Sequence, residues 1–182
     1  MLLPLLAAAL LTATARDSSL QHTTIATPTI TRTPATGIKG VLEADSLVVE
    51  KQRHVLTLFQ QGVVVRTYQI ALGKQPTGDK ERIGDNKTPE GVFFIDFRNA
   101  QSKFHKALHI SYPDLAHVQR AKGLGVRAGG DIMIHGLPPA YAKLGAAHRE
   151  FDWTNGCIAV TDEEIEEIWR AVPNGATIQI KP

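Results

Sequence analysis

One cysteine in 182 residues excludes an intramolecular disulfide and the zinc patterns that rest on paired cysteines. Charge of one sign is lacking too. Twenty Lys and Arg against 18 Asp and Glu leave a formal net charge of +2, spread along the chain, whereas nucleic-acid modules carry a clustered basic excess. No apolar run reaches the roughly 18–20 residues that span a bilayer. Aromatics are sparse at 6%, but 43% hydrophobic and 21% charged residues are ordinary for a globular protein. These exclusions leave a small domain with a single thiol, and no sign of a nucleic-acid partner or a transmembrane segment.

The N-terminus points to a compartment. Leu2 to Leu11 is almost purely Leu and Ala, and Ala13-Thr14-Ala15 supplies small residues beside a scissile bond. This pattern predicts a signal peptide over residues 1–15, although the segment before it carries no Lys or Arg. The protein is then exported, to the periplasm or cell wall. Residues 16–40 are rich in Thr and Pro and have no sustained apolar period, which predicts a disordered linker. The folded domain is expected over 41–182.

That domain reads as mainly β with a few helices. Ser46–Glu50, His54–Phe59 and Val63–Ala71 are β-branched runs, the last two separated by the turn signal Gln60-Gln61-Gly62, and together they predict an antiparallel meander. Residues 73–91 form a long polar loop. Further strands are expected over 92–96, 107–111, 131–135 and 177–181, and helices over 113–122 and 138–147. The clearest helix start is Thr161 with Glu164 three residues on, a capping box. Behind it Ile165, Ile168, Trp169 and Val172 make one apolar stripe, which marks core.

Cys157 is the natural place to look for chemistry. A free thiol in an oxidising compartment is exposed to oxidation. A small buried hydrophobe is one account of it. The other is a nucleophile, because Cys157 follows Gly156 in a tight turn before the capped helix, where backbone N–H groups can face an oxyanion. A cysteine nucleophile needs a base or cation nearby. Of seven histidines, His135 ends a hydrophobic strand and precedes Gly136, a rigid seat for an imidazole. His148, nine residues before Cys157, is a rival. His109, His117, His135 and His148 could be imagined around zinc, but nothing in their spacing selects that site, and no metal is expected.

At this point the residues resemble a family. IMIHG at 132–136 and DWTNGCIAV at 152–160 are similar to the signature of the L,D-transpeptidase (YkuD-type) catalytic domain, a His-Gly, a spacer, then Ser/Thr-x-Gly-Cys. Lys51 and Arg53, YQIALGKQPTGDK at 68–80 and GDNKTPEGVFFI at 84–95 extend the resemblance over nearly all of 41–182. It implies a β-sandwich-like fold in which Cys157 is the nucleophile, His135 the base and the Gly136 carbonyl its orienter, in the role an Asp plays in other triads. Amides around Asn155, Gly156 and Cys157 would form the oxyanion hole, with Thr154 and Trp153 beside it. Trp153 reads equally as pocket wall or core.

The implied reaction is thioester formation with a peptidoglycan tetrapeptide stem, release of D-Ala, and a 3→3 cross-link to a neighbouring stem, without metal or organic cofactor. Water as acceptor would make the protein an L,D-carboxypeptidase. The subgroup carrying DWTxGCIAV also resembles amidases that release a lipoprotein from peptidoglycan, which would make such a lipoprotein a partner. After signal cleavage no stable membrane insertion is expected. Two departures bear on substrate contacts: many members have a histidine where Asn155 stands, and often an arginine where Ala159 stands. Arg127 could meet a substrate carboxylate, or be a solvated loop arginine. A sortase or papain-like thiol enzyme would lack the loop at 84–91, and a non-catalytic wall-binding domain with a degenerate site is the alternative outside enzymes.

Overall fold

Alternating burial builds the first strands. In a computed structural model that describes residues 43–182, β1 (Ser46–Glu50) turns Leu47 and Val49 inward. It pairs antiparallel with β2 (Val55–Gln60), and β2 with β3 (Val63–Gln69), so the meander expected from the sequence is present. Gln61 and Gly62 both take positive φ, 51° and 78°, the two-residue turn whose twist suits a right-twisted hairpin. The expected signal peptide (1–15) and linker (16–40) lie outside the described residues.

The rest of the chain folds as β4 (Gly91–Ser102), β5 (His105–Ile110), α1 (Leu115–Gly123), β6 (Met133–His135), β7 (Ile158–Ala159), α2 (Asp162–Ala171) and β8 (Thr177–Lys181). The strand order is β3-β2-β1-β8-β4-β5-β6-β7. β8 enters last in the chain but lies centrally, parallel to β1 and antiparallel to β4. β4 makes the corner. Its first residues pair with β8, and a register shift between Ile95 and Phe97 hands the remainder to β5, the device by which one strand serves two packed sheets. The far end returns to the beginning through isolated bridges from Ala71 to Ala159 and from Gly73 to Thr154. The fold is mainly β with a few helices.

One core fills the space inside, with Leu47, Leu56, Phe93, Ile134, Ile158 and Ile165 all essentially inaccessible. The Thr161–Glu164 capping box forms as expected and α2 lays Ile165 and Ile168 on the core. Trp169 is only half-buried, its ring covered by the Arg98 guanidinium at 4.1 Å.

Three elements differ from expectation. β4 runs on to Ser102, because its polar second half is a largely exposed hairpin arm paired with β5 and anchored by Arg98 on Trp169. β6 starts at Met133 rather than 131, since Asp131 takes φ 55°, outside the strand region. In place of a helix over 138–147 there are 3-10 turns over Ala142–Glu150, broken by Gly145 at φ 48°. Among the described residues no helix is long and apolar enough to cross a membrane.

Ile178 of β8 sits between Leu47 of β1 and Phe93 of β4. Ile178→Ala is expected to lower unfolding free energy by about 2–5 kcal/mol, while the neighbouring outward-facing Gln179→Ala should change it by no more than about 0.5 kcal/mol. Urea titration of both variants checks this, and equal effects would contradict the packing described.

Candidate active site

β6 and β7 run parallel with Ile134 opposite Ile158 and His135 opposite Ala159. His135 ends β6 and Cys157 immediately precedes β7, so the two side chains line one cleft of about 410 Å³. Lys74, Phe104, Asp131 and Trp153 share its walls, with Thr154 and Asn155 at the turn.

Three backbone segments cross behind the sulfur without room for side chains. A Cβ on Gly73 would lie 2.2 Å from the Asn86 carbonyl oxygen and 3.0 Å from the Gly156 Cα. Gly156 has φ +130°, and a Cβ there would meet the Lys87 carbonyl oxygen at 2.6 Å. Only glycine fits at either point. Hydrogen bonds then lock the crossing. The Gly73 amide donates to Thr88 Oγ1 (3.1 Å), Thr154 Oγ1 donates to the Cys157 carbonyl (2.7 Å), and the Gly156 amide donates to Thr154 Oγ1 (3.0 Å). Of the three amides expected at the oxyanion hole, Gly156's is therefore already bonded within the loop. Asp152 ties the same loop further back, accepting from the Leu72 amide at 2.7 Å and facing His54 Nε2 at 2.9 Å.

His135 is 2% exposed, and its Nδ1 lies 2.7 Å from the Gly136 carbonyl. A carbonyl only accepts, so Nδ1 carries the proton and donates, and Nε2 is left as the acceptor. Burial pushes the imidazole pKa down to about 4, against a smaller upward pull from the Gly136 carbonyl. At neutral pH the ring is uncharged. Phe104 stacks on it at 4.4 Å and Trp153 meets it edge-on at 5.7 Å. Gly136 is closely packed, since a Cβ there would displace the Asp162 carboxylate, 2.6 Å away, which accepts from the Leu137 amide.

The Cys157 thiol is pushed up by burial, with the nearby Met133 amide pulling the other way. Its Sγ lies 3.4 Å from the Asp131 carbonyl. Both members of the pair thus favour their neutral forms, and among the described residues the thiol's hydrogen bond goes to the Asp131 carbonyl and not to the imidazole.

His148 does not line the cleft. It is fully buried behind Trp153, whose indole N–H donates to His148 Nδ1 at 3.4 Å, while its Nε2 finds no partner. His109 and His117 are engaged by Asp96 and Asp114. Trp153 is a cleft wall, packed on Tyr141 at 5.0 Å. Sequence reasoning missed Phe104 and Thr88. Phe104 sits in the β4–β5 turn, where no local pattern marks it, and the Thr88 hydroxyl acquires its role only through the crossing with Gly73.

Residues 44–180 match the sequence profile of the L,D-transpeptidase (YkuD) catalytic domain, and the chain belongs to that family. Among curated proteins it is 28% identical over 138 residues to Escherichia coli K12 YafK, whose name assigns it to the L,D-transpeptidases. The match takes in 72% of this chain and 48% of that protein, so the chain spans about half the length of the relatives it matches. In fold it is similar to the helical cell shape determining protein Pgp2 of Campylobacter jejuni (TM-score 0.56, 23% identity, 80% of this chain and 52% of that one). It is also similar to Bdellovibrio bacteriovorus Bd1075 (TM-score 0.54, 22% identity, 77% and 48%).

The buried His148 gives a pH-dependence with a definite sign. Burial lowers its pKa to about 4 from the 6.5 of an exposed histidine, so below pH 6.5 the unfolded chain takes up a proton that the folded one refuses. Stability is full above pH 6.5 and is lost as pH falls toward 4. His148→Phe should therefore flatten the loss between pH 6.5 and 5 by on the order of 1 kcal/mol per pH unit relative to the parent. Parallel urea titrations at several pH values measure it, and identical slopes would contradict the buried, neutral ring.

Proposed function

We propose that the chain is a cysteine acyltransferase acting on peptidoglycan stem peptides, an L,D-transpeptidase in activity as well as family. The observation that carries this is the tautomer of His135: Gly136 holds the Nδ1 proton, leaving Nε2 as the proton acceptor of a residue that lines the same cleft as the lone thiol. Export to the periplasm or cell wall, the signal peptide over 1–15, the linker over 16–40 and a catalytic domain over 41–182 belong to the same proposal.

The chemistry is two acyl transfers. Cys157 Sγ attacks the carbonyl of the L-centre of meso-diaminopimelate in a tetrapeptide stem, and its proton passes to His135 Nε2. The carbonyl oxygen gains negative charge, which the Asn155 and Cys157 amides would face, since Gly156's is bonded to Thr154. As the C–N bond to D-Ala breaks, His135 returns the proton to the departing amine, leaving a thioester. An amine of a second stem then attacks, gives up a proton through His135, and the S–C bond breaks to restore the thiol. The product is a 3→3 cross-link. Water in place of the amine gives carboxypeptidase chemistry, and a lipoprotein-linked stem in place of the tetrapeptide gives amidase chemistry.

A neutral thiol–imidazole pair separates this centre from one with a standing thiolate. Iodoacetamide alkylation of Cys157 in the resting protein should keep accelerating past pH 9, because burial raises the thiol above its ordinary 9.0; a rate already flat between pH 6 and 8 would contradict the neutral pair.

Incubating the purified protein with disaccharide-tetrapeptide, and analysing products by mass spectrometry, tests the activity. Free D-Ala with a 3→3 dimer is expected. Cys157→Ser should abolish it while leaving the thermal unfolding midpoint unchanged. His135→Gln should slow acylation by roughly 10²–10⁴-fold, whereas His148→Gln should not. D-Ala release that survives Cys157→Ser would sink the mechanism.

A further inference from the structure

The cleft holding Cys157 does not end at Asn155. A second cleft of about 440 Å³ adjoins it, with Gly130, Asp131 and Asn155 common to both. Its walls come from two segments, the loop with Lys80, Ile83 and Asn86, and the strand approach with Arg127 and Gly129. The Ile83 amide donates to the Arg127 carbonyl at 2.8 Å, so the two walls are joined at their outer edge.

The charges in this second cleft are unevenly held. Lys80 is 3% exposed. Its ammonium donates to Asp85 Oδ1 (2.6 Å) and to the Arg82 carbonyl (3.2 Å), which leaves one of three donors uncommitted. Asp85 accepts from three amides besides, those of Glu81, Arg82 and Lys87, so its charge is shared along the loop. Arg127 is exposed, and among the described residues its guanidinium has no partner. Against these cations the one carboxylate residue lining the cleft is Asp131, at the end whose backbone carbonyl touches the sulfur. Positive charge lies at the far end and negative charge near the nucleophile.

That order matches one chemical unit. In the reaction proposed above, the amine that leaves and the amine that attacks belong to the same class. Each is the amine of a D-amino acid, with a carboxylate one carbon away from the nitrogen bonded to the acyl carbon. D-Ala is such a unit, and so is the D-centre of diaminopimelate. We propose that the second cleft is the subsite for this D-amino acid unit, with its carboxylate on Arg127 and the free Lys80 donor, and with its nitrogen at the Asp131 end facing the thioester. One subsite then serves departure and attack in turn, as microscopic reversibility favours when the two amines are chemically alike. Asn155 lines both clefts at their meeting point and contributes hydrogen bonding without a charge. Lys74 lies on its other side, with Nζ 3.4 Å from Asn155 Oδ1, and is the competing cation.

The inference rests on the acyl-transfer proposal for its choice of ligand, so its test begins with binding and ends with turnover. Calorimetry on Cys157→Ala protein, which cannot turn over, would compare disaccharide-tetrapeptide with the same molecule bearing a D-Ala carboxamide. The acid should bind about tenfold or more tighter, the worth of one charge-assisted hydrogen bond, and a further Arg127→Gln change should erase most of that advantage. Arg127 is exposed, so this variant keeps the fold, whereas Lys80 variants risk losing the buried pair. Acid and amide binding alike would overturn the subsite, as would an advantage lost on Lys74→Gln in place of Arg127→Gln.

Turnover with the native thiol then separates the two proposals. Exchange of D-Ala for D-methionine should exceed exchange for D-methioninamide, and Arg127→Gln should narrow the difference through KM. Equal exchange of the two would overturn the shared use of the cleft. The expected binding pattern with no D-Ala release from the native protein would sink the acyl-transfer proposal and leave the subsite standing.

Discussion

The site depends on a backbone crossing that leaves no space for side chains. Gly73, the carbonyls of Asn86 and Lys87, and Gly156 meet at van der Waals distance directly behind Cys157. A methyl group at Gly73 would have to occupy the place of a carbonyl oxygen. Three segments distant in sequence come together there, so the shape of the nucleophile's turn depends on how the 84–91 loop packs against the segment that follows β3. The Thr88 and Thr154 hydroxyls fasten the crossing, and the bridges from Ala71 to Ala159 and Gly73 to Thr154 extend it into the sheet. Rigidity at the sulfur is thus a property of the fold's closure and not of the local turn alone, which is what a preorganised site requires.

Desolvation settles the protonation states around that sulfur. Burial disfavours imidazolium on His135 and thiolate on Cys157 together, and the local helpers, the Gly136 carbonyl and the Met133 amide, only moderate the effect. An ion pair of the kind that keeps a thiol permanently reactive would need a cation close to the sulfur or a more exposed imidazole. The aromatic cover of Phe104 and Trp153 removes the water that would supply it. His148 holds the Trp153 ring in this cover through its indole N–H.

Much of this was legible in the sequence, and the parts that were not share a cause. Period-two alternation marks β1 and β8 because each buries one face, β2 and β3 show as β-branched runs beside a turn signal, and the Thr161–Glu164 spacing marks α2 because capping is a local interaction. The distal half of β4 carries no such mark, since residues 97–102 bury no apolar face and are held by cross-strand pairing with β5 and by Arg98 on Trp169. The alanines of 138–147 favour a helix, but the chain there makes 3-10 turns over Ala142–Glu150 that Gly145, at φ 48°, interrupts. Cys157, His135 and Gly136 stood out through their ordered motifs. Phe104 and the Gly156–Thr154 bond did not, because a turn's contact with a remote ring, or the direction of an amide within a turn, follows from tertiary geometry that local patterning does not encode.

Asn155 has the last consequence for the proposed chemistry. An amide at this place can orient a substrate but cannot carry a proton, and His148 is sequestered behind Trp153, so His135 is the one imidazole lining the cleft with the thiol. A base with its pKa near 4 is weak, yet its conjugate acid is strong, and the two acyl transfers use both properties. In the first step the strong acid protonates the departing amine readily, which drives C–N cleavage and returns the ring to its neutral state. In the second the incoming nucleophile, amine or water, becomes more acidic as it bonds to the thioester carbon, and Nε2 takes its proton. His135 serves either acceptor, so the choice between cross-linking and hydrolysis falls to whichever nucleophile is held against the thioester when the leaving group has gone.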